Sequence, residues 1–180
     1  MQVQTDVVSK KNPCYIFNHV CLNGFNVSFT AHILTKRIQY CIIVLMSRYV
    51  PRSLSKKDKT KQILNLHRSQ IAYTKRNYIN RPILKSFKTK PSSHVSRAKA
   101  LFGVQSMAPT AELAKASGCS QWALEKIIQK GEGAYYSSGS RPNQTPQSWG
   151  YARLASALTG GPASKVDALI LKQGCKVTRK

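Results

Sequence analysis

Acidic residues are nearly missing from this chain. Six Asp and Glu stand against 29 Lys and Arg in 180 residues, a formal charge of +23. So few scattered carboxylates leave no paired set for acid–base work or for holding a catalytic metal. The four histidines, His19, His32, His67 and His94, all lie outside the best-patterned half of the chain. No Gly-x-Ser-x-Gly, His-Glu-x-x-His or phosphate-loop signature occurs. These absences predict a protein that is not an enzyme and has no cofactor, no metal and no small-molecule substrate. Aromatic residues are 8% of the chain, which disfavours a base-stacking single-strand binder. The longest apolar run, Tyr40–Met46, is too short to cross a bilayer. It also begins too late for a signal peptide and lacks a small-residue cleavage site, so any membrane contact is expected to be peripheral at most.

The cysteines form no C-x-x-C pair. There are five, an odd number: Cys14, Cys21, Cys41, Cys119 and Cys175. This pattern predicts reduced thiols in a reducing cytoplasm or nucleus rather than a disulfide framework. Cys14, His19, Cys21, His32 and Cys41 match no common zinc-ligand spacing, so buried thiols are the expectation.

What the chain has is concentrated positive charge. Residues 46–99 hold 15 basic residues and one acid, Asp58. Self-repulsion on that scale opposes compaction, so a counter-charge is expected in the working state. Nucleic acid, anionic lipid and an acidic protein surface are the three partner classes that supply one. The expected contacts are Arg48, Arg52, Lys56, Lys57, Lys59, Lys61, Arg68, Lys75, Arg76, Arg81, Lys85, Lys88 and Lys90, joined by Arg141 further on. Within this segment, Ser55 through Asp58 predicts a capped helix reaching about Tyr73, with Leu64, His67 and Ile71 on its inner face and Ile63 and Leu66 beside them. Arg81-Pro82 and Lys90-Pro91 then predict an extended strap.

Three divisions are expected: an extension over 1–45, a basic arm over 46–93 and a compact helical domain over 94–180. In the first, Asn23-Gly24 between β-branched and aromatic stretches predicts a hairpin, and residues 37–45 offer a third strand for a small β-meander. Met46 opens a different composition and is itself a plausible start site.

The last division is well punctuated. Ser93 caps a helix ending near Gly103, and Thr110 caps one over 111–117. Gly118 supplies a left-handed stop, and Ser120 caps a helix over 121–130 ended by Gly131. Thr145-Pro146 starts a helix reaching about Leu158. Pro162 starts a last one over 163–172, ended by Gly174. The fold class is therefore mainly α. Ala114, Gly118, Leu124 and Ile127 have helix–turn–helix spacing, which makes 121–130 a candidate recognition helix with Gln121, Trp122, Glu125, Lys126 and Gln129 outward. A plain αα-corner has the same glycine and apolar positions, and Glu125 sits poorly against phosphate. Between the helices, residues 131–145 read GEGAYYSSGSRPNQT. They form either an anion cradle using Ser137, Ser138, Ser140 and Arg141, or a rigid loop pinned by Tyr135, Tyr136 and Pro142.

The run from Lys130 through Gly-Glu-Gly-Ala-Tyr-Tyr, then Ser140-Arg-Pro, Thr145-Pro-Gln-Ser-Trp-Gly-Tyr-Ala-Arg153 and Lys165-Val-Asp167 resembles an uncharacterised small domain of large DNA viruses of algae (chlorovirus-like) and of marine phages. The resemblance covers about residues 108–170, with Lys130 and Gly150 departing from the pattern. No catalytic residue can be carried over from it. It implies a viral origin. The expectation is a structural virion protein, a minor capsid or cement protein inside an icosahedral shell. Its partners would be the major capsid protein and other minor capsid proteins. The alternative is a helix–turn–helix or non-specific protein that binds viral DNA.

Overall fold

The computed structural model describes residues 48–176, all within one compact unit, Met46–Lys180. The expected β-meander and the N-terminal cysteine–histidine set lie outside the described residues. Among the described residues the protein is helical, with no strand. The elements are α1 (Lys56–Thr74), α2 (Ser93–Phe102), α3 (Ala111–Ser117), α4 (Gln121–Ser137), α5 (Pro146–Leu158), α6 (Pro162–Val166) and α7 (Ala168–Gly174).

Local chemistry sets most boundaries. The hydroxyls of Ser55, Thr110, Ser120 and Thr145 each accept a bond from the backbone amide three residues on. Each satisfies an amide that the first turn of its helix would leave orphaned. Ser148 returns the bond to Thr145, completing a capping box with Pro146 at the first turn. Gly118 closes α3 with φ +66°, a conformation that favours glycine.

Two helix readings need correction. Gly131 does not end its helix. α4 continues through Gly131 and Gly133 to Ser137, so half of the expected loop is helix. The reason is tertiary. α4 and α5 cross so closely that a Cβ on Gly131 would lie 2.6 Å from the Gly150 Cα. Here glycine lets two backbones approach, and the packing gained outweighs its poor helix propensity. The expected single helix over 163–172 is likewise two, α6 and α7, broken at Asp167.

The α4–α5 crossing is the centre of the fold. Leu113, Leu124, Ile127, Ile128, Leu154 and Ala155 are buried in one apolar cluster with Ala98, Val104 and Met107. α2 and α6 pack on α5, and α7 on α4. α3 and α4 form the helix–turn–helix-like pair.

Cys119 and Cys175 are joined in a disulfide, where reduced thiols were expected. Backbone pairing brings the cysteines together. The Ser120 amide donates to the Gly174 carbonyl at 2.6 Å, and the Lys176 amide to the Gly118 carbonyl at 2.8 Å. Cysteine count and spacing carried no sign of this pairing, because it depends on a chain reversal 56 residues long.

The arm is not separate from the domain. α1 packs on α4, and the following segment runs back beside α1. The Ser86 hydroxyl and amide bond the Asp58 carboxylate at 2.6 and 3.1 Å, at the start of α1. Tyr78 meets Tyr73 edge-on at its end, with ring centroids 6.0 Å apart. Eight extended residues reach about 26 Å, enough to span the roughly 22 Å of helix between these two anchors.

The inner face of α1 is also a correction. Its buried residues are Asp58, Gln62, Leu66, Ser69 and Ala72. Leu64 and Ile71 are about half exposed, 50% and 47%, and Ile63 is 42% exposed. Hydrogen bonds chose the polar side. Gln62 donates to the carbonyls of Ser140 and Tyr49, and Ser69 to that of Tyr136. Those three carbonyls would otherwise lack these partners beneath α1.

Candidate functional site

The cations of the N-terminal part of the described chain are displayed on a folded surface. Arg48, Arg52, Lys56, Lys57, Lys61, Arg68, Lys75, Arg76, Lys85, Lys88 and Lys90 are exposed, as is Arg141. Lys59 is half-buried. None of these makes an ion pair. Among the described residues only Lys130 and Arg153 do, both with Asp167. At 100° per residue, Lys57, Lys61, Arg68 and Lys75 fall within about 60° of Leu64, a row about 27 Å long on the outward side of α1. Such exposed, unpaired charge attracts anions in a salt-dependent way.

Arg81, expected among these contacts, points inward instead. Its guanidinium lies 3.7 Å over the Tyr135 ring, and Nη2 donates to the Tyr135 carbonyl at 3.0 Å and the Ser140 hydroxyl at 2.9 Å. Nη1 is buried without a hydrogen-bond partner. The ring face beneath the guanidinium compensates part of that loss. Burial pulls the Arg81 pKa below its ordinary value, while Tyr135 opposes the change. Arg81 therefore holds the strap to α4 and is not free to meet a polyanion.

The Ser/Tyr/Arg-Pro loop is spent in the same way. Ser140 and Pro142 are buried, and Asn143 holds the strap through Leu84 and Phe87. Asn143 adopts φ +59°, a backbone that Asn tolerates better than most residues. The Ser137 hydroxyl donates to the Gly133 carbonyl. The structure thus matches the pinned loop: of the four cradle candidates Ser140 is buried and accepts from Arg81, while Ser137, Ser138 and Arg141 are exposed. Tyr135 is buried, and Trp149 is half-buried with its ring edge-on to Tyr49.

Three further motif residues, Lys130, Arg153 and Asp167, meet at one point. Asp167 has a fully buried side chain. It accepts from Arg153 Nε and Nη2 at 2.8 and 2.9 Å, and from Lys130 Nζ at 2.7 Å. Burial pushes its carboxyl up, but the bonds from Arg153 and Lys130 outweigh this and hold it below the usual carboxylate range. The triad ties α4, α5 and the α6–α7 break together.

Gln121, Trp122, Glu125, Lys126 and Gln129 are all exposed on one side of α4. Lys126 and Glu125 cancel, so this side carries no net charge. A cavity of about 550 Å³ opens where α4, the strap and the start of α5 meet, with Asn80, Glu132, Tyr136, Gln144 and Gln147 in its wall. Tyr136 has its hydroxyl pKa raised by burial, with Tyr135 and Glu132 adding to the effect. The lining holds one carboxylate and no histidine or cysteine. Among the described residues no group of His, Cys, Asp and Glu could hold a metal ion, and no helix is long and apolar enough to cross a membrane.

Sequence reasoning missed Leu64 and Ile71 as surface residues. The signal available was the polar run Asp58, Gln62 and Ser69 at helical spacing, which reads as a solvated face until its bonding partners are known. No curated protein and no solved structure matches the chain. One family model matches residues 36–168, more than half of the chain. The chain belongs to DUF5824, a family of unknown function.

Proposed function

We propose that this is a non-catalytic structural protein of a large DNA virus, a minor capsid protein that binds inside the shell through a preformed cationic surface. The viral setting rests on the motif resemblance. The observation that carries the binding role is the exposed, unpaired row of cations on α1, continued by Lys85, Lys88 and Lys90 on the strap. The strap is already docked on α1 and α4, so the surface does not wait for a partner to order it. A rigid surface of one sign is suited to cementing, because little conformational entropy is lost on binding.

One observation favours a second reading, that of a DNA-binding protein. The five candidate recognition residues share one exposed side of α4. Against it stands the lack of net charge there, where phosphate contacts need cations.

Quantitative mass spectrometry of purified, nuclease-treated particles of the encoding virus tests the proposal. A fixed high copy number compatible with icosahedral symmetry is the expected result. Presence in infected cells but absence from particles overturns it and promotes the second reading.

A further inference from the structure

α1 shows the solvent its bulky aliphatics and turns its polar residues inward. Leu66 is the one large aliphatic among its buried residues. Leu64 and Ile71, two turns apart, stand in the middle of the outward face. Lys57, Lys61, Arg68 and Lys75 run along one side of them, and Lys56 stands on the other. Neither Leu64 nor Ile71 belongs to the buried core, and about half of each remains open to solvent. An apolar centre with a charged rim is the anatomy of a protein–protein interface.

We infer that the outward face of α1 is a docking surface for an acidic helical segment of another protein that carries apolar side chains along its middle. The inference deepens the cationic-surface reading above and rests on it. Charge complementarity selects an acidic partner, because four cations along about 27 Å of helix form no ion pair and have only Asp58, already bonded to Ser86, as a nearby carboxylate. The aliphatics select protein over nucleic acid, since a phosphate backbone offers Leu64 and Ile71 nothing to bury against. Lipid is disfavoured for a different reason. An interfacial helix needs a broad apolar face, and here Thr60, His67 and Arg68 interrupt it. A second copy of this chain would set one cationic row against another.

The probe is a synthetic Leu/Glu peptide about 20 residues long, patterned as an amphipathic helix to match the length of α1. Poly-L-glutamate of equal charge, a 20-base-pair DNA duplex (about two helical turns) and phosphatidylserine-containing vesicles are the comparisons, each titrated against the full chain. The Leu/Glu peptide should bind at least about tenfold tighter than polyglutamate, because burying the exposed halves of both aliphatics is together worth roughly that factor. The double variant Leu64→Gln with Ile71→Gln should lose that preference while keeping its helical signal, since both side chains are exposed. Lys61→Glu with Arg68→Glu should weaken the peptide and polyglutamate alike. The inference is overturned if the glutamine variant binds the peptide as wild type does. It is equally overturned if the duplex or the vesicles compete the peptide off. Failure of the virion reading would show separately, as absence from particles with peptide binding intact.

Discussion

Asp167 is where three segments depend on one side chain. Its carboxylate is buried and accepts every bond that Arg153 and Lys130 direct to it. Asp167→Asn should cost about 3 kcal/mol, toward the low end for breaking a buried pair because Lys130 still reaches solvent. Urea denaturation of both proteins checks this. The pH dependence follows from the depressed carboxyl. A group with a folded pKa below its unfolded value stabilises above the unfolded value, near 3.9, and loses that contribution as pH falls through the folded one. The Ser86 hydroxyl and amide hold Asp58 below the ordinary range in the same direction. Stability should therefore stay level above about pH 5 and fall below about pH 4. The Asp167→Asn protein should show a shallower fall in acid denaturation. Arg81 gives the complementary contrast. Arg81→Ala should loosen the strap and lower the melting temperature, whereas Lys85→Glu with Lys88→Glu should weaken polyanion binding at unchanged stability.

Among the elements, α4 is the most instructive. Two glycines sit two residues apart in it and should respond oppositely to a methyl group. Gly131→Ala drives a Cβ into Gly150 and should destabilise by about 2–3 kcal/mol. Gly133→Ala meets only the Tyr73 hydroxyl at 3.6 Å and should stabilise by about 0.5–1 kcal/mol through helix propensity. Thermal melts of the two variants decide the sign of each. This pair also marks what sequence could and could not reveal. Caps were legible because they are local: Thr110, Ser120, Thr145 and Gly118 each act within four residues of themselves. Gly131 looked like a stop because its reason for being glycine lies on another helix. The inner face of α1 was misread on the same ground. Leu64 and Ile71 obey the core pattern, while Gln62 and Ser69 turn inward to carbonyls far along the chain. Of the candidate contacts, charge and exposure were legible for the lysines other than half-buried Lys59, whereas Arg81 was lost to a tyrosine ring 54 residues away.

For the whole molecule, the covalent link matters most. α6 and α7 contain no fully buried residue, so the C-terminal end is held by the Asp167 triad, by Ala163, Ile170 and Leu171 at the edge of the core, by two backbone bonds and by the disulfide. Closing a loop of this length restricts the unfolded chain by about 4 kcal/mol in the chain-entropy treatment. Reduction should lower the unfolding free energy by up to that amount, and hydrogen exchange should quicken first in 168–176. The same bond divides the molecule topologically. Residues 119–175 form a covalent ring that encloses the α4–α5 crossing, while α1 and the strap hang from it as a single open strand. One protease cut anywhere from Ser120 to Gly174 would open the ring yet shed no fragment on a denaturing, non-reducing gel. One cut between α2 and α3 would release the whole cationic surface. A nick that spares the ring's mass therefore spares the docking face as well, and a nick that removes the face leaves the ring closed.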